Sequence, residues 1–159
     1  MATGDILTVP GTLTAMTITL ASLATSAAGV GRQSTLVDNT SVKAPAALVY
    51  CKVTTGTTPT ANTSILVYLI RYDNSAFGDD GCGTSDAALT IINAQLLGSI
   101  LNPATTSNTA YYGVFDTAPF GPLGPKWGVA IVHNTGVNLN STGGNHVIEY
   151  IAYNPQVQS

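Results

Sequence analysis

Charge is the first thing this chain has little of. Of its 159 residues only 8% are Asp, Glu, Lys or Arg, against about 25% in an ordinary soluble domain. Five basic and eight acidic residues leave a formal net charge of −3. The basic ones do not cluster, so nucleic acid, which binds by phosphate neutralisation, is not an expected partner. Long hydrophobic runs are missing too. No stretch approaches the ~20 consecutive apolar residues of a membrane-spanning helix, and the longest, residues 64–70, has the length of a strand. The start Met1-Ala2-Thr3-Gly4-Asp5 lacks the basic and apolar regions of a secretory leader, which makes cytoplasmic folding the expectation.

Chemistry-bearing residues are equally sparse. Cys51 and Cys82 are too few for a disulfide framework and have no zinc spacing, so free thiols are expected. The chain contains no Gly-x-Ser-x-Gly elbow, no His-Glu-x-x-His, no phosphate-binding loop and no dinucleotide fingerprint. Its two histidines, His133 and His146, fall near the ends of two apolar runs, where with Glu149 they could form an acid/base or metal pair. The alternative is that both imidazoles simply tie loop backbone together. Asp73, Asp79, Asp80 and Asp86, interleaved with Gly78, Gly81 and Gly83, could gather oxygen ligands for Ca²⁺, but not at EF-hand spacing; a solvated acidic loop is the plainer reading. Tyr111, Tyr112, Phe115, Phe120 and Trp127 could make an aromatic platform for a sugar or a partner. Trp127, however, begins the alternation Trp127, Val129, Ile131 and is expected in the core. No catalytic, cofactor-binding or metal-binding residue is assigned, and no enzyme activity is expected.

What the chain does have is apolar and β-branched sequence, with 45% hydrophobic residues, broken by Gly, Pro, Asn and Thr clusters. That combination reads as strands joined by turns. Eight runs stand out, at residues 12–20, 30–37, 46–54, 63–72, 90–101, 110–116, 126–134 and 146–153. The last two look like a hairpin with a long loop, across which His133 and His146 could face each other. Pro119, Pro122 and Pro125 lack ladder donors and mark a surface connection. Residues 85–97 mix helix and strand formers, and a short turn or helix passing into a strand is expected there. In Ile65-Leu66-Val67-Tyr68-Leu69-Ile70 both alternating faces are apolar, so both should be covered. About eight antiparallel strands in one domain of this length should pack as two sheets. The expectation is an all-β, jelly-roll-like β-sandwich over residues 12–159, preceded by an extended N-terminal arm at residues 1–11.

Glu149 stands between Ile148 and Tyr150 in an otherwise apolar run. Pointing outward it would discourage strand addition; pointing into a contact it would need Arg32, Arg71 or a basic partner group.

The stretch Trp127-Gly-Val-Ala-Ile-Val-His133-Asn-Thr-Gly136, continuing through Gly143-Gly-Asn-His146 to Tyr150, resembles small virion structural proteins of tailed bacteriophages. Gly31-Arg-Gln-Ser-Thr35, Val37-Asp-Asn-Thr40 and Val53-Thr-Thr-Gly56-Thr-Thr-Pro59 are similar to the same group. The resemblance implies a capsid decoration or cement subunit, a homotrimer at local symmetry axes whose partner is the major capsid protein. It would be assembled in the host bacterial cytoplasm and located on the capsid surface of the virion. It supplies no catalytic residues to carry over. A head fibre, tail or baseplate component, or a carbohydrate-binding adhesin module, is the alternative.

Overall fold

The computed structural model describes residues 6–157; residues 1–5 of the expected arm lie outside them. The described residues form β1 (Ile6–Pro10), β2 (Thr14–Ala15), β3 (Val30–Gln33), β4 (Val37–Asp38), β5 (Ala47–Thr54), β6 (Thr63–Tyr72), β7 (Ala87–Thr90), β8 (Gln95–Asn102), β9 (Ala110–Asp116), β10 (Lys126–His133) and β11 (Val147–Val157). Three single 3-10 turns are the only helical backbone among them. The strands make two antiparallel sheets packed as a β-sandwich. The first runs β1-β11-β5-β9 with β2 also on β11; the second runs β7-β3-β10-β6-β8 with β4 also on β10.

Period-two alternation explains the core. In β5, Ala47, Val49, Cys51 and Val53 point between the sheets, while Leu48, Tyr50 and Lys52 point out. In β6, Ile65, Val67 and Leu69 point in, and in β10 so do Trp127, Val129, Ile131 and His133. Each such aliphatic side chain contributes about 1.5–3 kcal/mol relative to leaving it in water. The outer face of β6 and β10 is covered as well. There Ile70, Ala130 and Leu89 of the edge strand β7 form a second cluster with Cys82, and Leu36, Tyr68, Tyr72, Ile91 and Ala94 pack against it.

Several expectations need correction. The last two runs are not a hairpin. β10 lies between β3 and β6 in one sheet and β11 between β1 and β5 in the other, so residues 134–146 cross the sandwich. No helix forms in residues 85–97, and the run 90–101 is not one strand. β7 ends at Thr90 on one edge of the second sheet and β8 begins at Gln95 beyond β6. Between them the Asp80 carboxylate accepts the amides of Ile92, Asn93 and Ala94 at 3.0, 2.7 and 2.9 Å, which fixes a turn instead of a ladder.

The run 12–20 contributes only β2 to a ladder, because it changes sheets. The Met16 amide bonds the Ile148 carbonyl in the first sheet, and the next residue, Thr17, accepts the Thr35 amide beside the second. Met16 and Leu20 drop into the core on the way. Residues 6–10 of the expected arm are strand β1, opposite β11 from Ile6↔Val157 to Pro10↔Tyr153.

Candidate functional site

The histidines flank the crossover between β10 and β11, His133 as the last residue of β10 and His146 just before β11. His133 is 1% exposed, its Nε2 donating to the Leu23 carbonyl at 3.0 Å and its Nδ1 3.0 Å from the Thr135 hydroxyl. A carbonyl only accepts, so Nε2 carries the proton. His146 donates from Nε2 to the Asn140 carbonyl at 2.9 Å and accepts the Thr54 amide at Nδ1 at 3.3 Å. Burial pushes both pKa values below the ordinary imidazole value, against the opposing hydrogen bonds to Leu23 and Asn140; the nearby His146 lowers His133 further, and Lys52 lowers His146. The two rings fasten residues 20–26 and the 134–146 crossover to the end of the sandwich. Glu149 does not join them. It stands on the outer face of the first sheet, opposite Ala15 and Tyr50, whereas His133 points between the sheets.

Neither arginine pairs with Glu149. Arg32 Nε meets Asp86 at 2.5 Å, the one ion pair among the described residues, and Asp86 also accepts from Thr19. Arg71 clasps the proline-rich connection, donating to the carbonyls of Phe120 and Pro122 at 2.6 and 3.0 Å.

The acidic loop is likewise occupied by its own chain. Asp73 accepts the amides of Ser75, Ala76 and Phe77, Asp79 that of Arg71, and Asp80 the three of residues 92–94. At Asp80 burial opposes ionisation, but the three amides outweigh it and the pKa falls below the usual carboxylate range. Among the described residues no group of three or more His, Cys, Asp or Glu is placed to hold a metal ion. Cys51 and Cys82 are free and buried in different clusters.

The aromatic residues separate. Trp127 is buried at 1% exposure, and Tyr111, Phe115 and Phe120 pack against the same core. Tyr112 alone of the five turns outward, 70% exposed, with Val114 beside it at 59%. These two share the outer face of the first sheet with Tyr50, Lys52, Val147 and Glu149, around a shallow recess of about 260 Å³. Register sets the rows: Val147, Lys52 and Tyr112 lie side by side, and next to them Glu149, Tyr50 and Val114. A second groove, of about 510 Å³, runs between Pro45, Pro122 and Pro125 with Lys43 at its rim.

The sequence reading singled out Tyr112 and Glu149 but missed Tyr50, Lys52 and Val114. Their signal was available in the alternation of β5 and β9. What it lacked was the pairing that places them in adjacent rows. Asn39, whose side chain bonds Ala44 and Gly124, had no signal at all.

No family model, curated protein or solved structure matches this chain.

Proposed function

We propose that the chain is a structural subunit of a tailed-bacteriophage virion, a capsid decoration or cement protein that binds the major capsid protein at the outer surface and bridges capsomers. The observation that supports it best is the outer face of the first sheet. Tyr50, Tyr112, Val114 and Val147 lie there with only Lys52, Glu149 and Asp116 as charged neighbours. Such a face, aromatic and apolar with both signs of charge, suits a contact with another protein whose groups pair those three charges. Low charge over the whole chain favours the same role.

The strand orders also favour the jelly-roll reading. In each sheet a late strand is inserted between two early ones, β11 between β1 and β5 and β10 between β3 and β6. Homotrimers at local symmetry axes are the form the sequence resemblance implies, and multivalent attachment would let individually weak contacts hold.

Cryo-electron microscopy of purified virions tests the reading. Density for this sandwich at capsid symmetry axes, with the β5–β9–β11 face against the shell, is the expected result. Density confined to the tail would transfer the chain to a fibre, tail or baseplate role, and absence from the particle would end the virion reading.

A further inference from the structure

The free edge of the first sheet carries an inference that does not rest on the virion reading. Among the described residues β9 is the last strand of that sheet and pairs only with β5, while β8 of the other sheet packs close to its inner face. The direction of its outward hydrogen-bonding groups follows from the register. The Thr55 amide bonds the Thr109 carbonyl and the Thr117 amide bonds the Ala47 carbonyl, each at 3.0 Å, and both pairs continue the β5–β9 register. Hydrogen-bonded pairs alternate in an antiparallel ladder. Tyr111, Gly113 and Phe115 therefore turn their amides and carbonyls to β5, and Ala110, Tyr112, Val114 and Asp116 turn theirs away from the sheet.

An edge of this kind is a template for another strand unless something blunts it. The other edges are blunted. β7 has four residues, β8 carries a register shift opposite Val67 and Tyr68, and β1 ends in Pro10. β9 has seven residues, no proline, no lysine and no irregularity in its pairing, and its single charge is the terminal Asp116.

We propose that β9 is a self-association edge: two copies pair antiparallel through it, Tyr112 opposite Val114 of the second copy and Gly113 on the two-fold axis, continuing the first sheet across both molecules. In this register all four outward residues find hydrogen-bonded partners. Each Tyr112 ring lies against a β-branched Val114, a favourable cross-strand pair. Asp116 falls opposite Ala110 and not opposite its own copy, as a parallel or strongly shifted pairing would require. The position on the axis is a non-hydrogen-bonded pair; Gly113 stands there, its lack of a side chain required inside the sandwich by Ile100 and Phe115. Because the contact is two-fold it joins two subunits without closing a ring of three; between trimers it would act as a link.

Two substitutions separate pairing from folding. In the single chain the Val114 amide faces away from β5, so Val114→Pro removes no ladder bond. The Val114 side chain is 59% exposed, so Val114→Lys fits the single chain and burdens the edge with charge. Sedimentation velocity of the full chain should give a species with an even number of chains, and hydrogen exchange should find the Tyr112 and Val114 amides protected. Val114→Lys should halve the mass and expose those amides with the circular dichroism unchanged. Val114→Pro should do the same at Tyr112, and if that variant does not fold, the lysine variant alone decides. A monomeric parent chain, an assembly untouched by the substitutions, or unprotected Tyr112 and Val114 amides in the assembly would overturn the proposal.

Discussion

The indole of Trp127 and the ring of Tyr150 meet edge to face, their centroids 5.1 Å apart and their planes at 82°. Trp127 belongs to β10 and Tyr150 to β11, so the contact fastens one sheet to the other where the half-buried Tyr150 packs against the core. An aromatic pair of this geometry adds about 0.5–1.5 kcal/mol to the burial of its rings.

Trp127→Ala is expected to lower stability by about 3–5 kcal/mol, and Tyr150→Leu by about 1 kcal/mol, close to the pair term alone. Urea unfolding measures both. Trp127 is the only tryptophan, so its fluorescence reports sheet closure directly in the Tyr150→Leu variant. A Trp127→Ala cost under 1 kcal/mol would contradict its place in the core.

Asp80 has φ of +54° and holds three amides of residues 92–94. Asp80→Ala removes the acceptor from all three, at a cost of about 1–3 kcal/mol. The loss should be local at first. Hydrogen exchange should quicken at Ile92, Asn93 and Ala94 before it changes in β5 or β10; a uniform change over the whole chain would count against a separately held excursion.

Acid should act in two stages. Both histidines bind protons less tightly in the folded chain than in the unfolded one, because burial depresses each pKa. Their contribution is complete above the ordinary imidazole value of about 6.5 and is lost as pH falls below it toward the depressed folded values. Asp80 and Asp86 are also held below their ordinary value of 3.8, so the second decline begins only when pH drops beneath that. Urea midpoints at successive pH values should show both steps, and the double variant His133→Gln, His146→Gln should lose the first. A first step that survives this variant would place its origin elsewhere.

The two thiols should be inert in the native protein. Burial pushes Cys51 up to about 12, and burial together with Asp79 and Asp80 pushes Cys82 up to about 11. Since the thiolate is the reactive form, a thiol reagent near neutral pH should label neither until denaturant is added. Rapid native labelling of Cys82 would show that residues 73–94 open readily.

β6 and β9 have the bounds their sequence runs suggested, because each is a β-branched and aromatic run closed at both ends by turn residues. Alternation also placed Trp127, Val129 and Ile131 in the core. Alternation says which face of a strand is buried, not which sheet the strand joins, and that is why 126–134 and 146–153 read as a hairpin. The same limit hid the sheet change at Met16 and Thr17, where the run continues but the partner changes. At the acidic loop the residues were visible and their purpose was not, since an aspartate holding backbone amides and one awaiting a cation have the same spelling. The outer face of the first sheet was half legible, Tyr112 and Glu149 standing out while Tyr50, Lys52 and Val114 gained meaning only through register.

The insertion of β10 and β11 between earlier strands has a consequence in time. Until residues 126–157 exist, β3 and β4 have no neighbour to join them to β6, and β1 and β2 have none to join them to β5. A growing chain therefore offers half-built sheets with apolar faces and open edges for most of its synthesis, the condition in which long-range β-proteins fold slowly and stray into aggregates. Low charge gives little repulsion during that interval. A chain stalled shortly before Lys126 should be held by chaperones or lost, and one released after β11 should close in a single step.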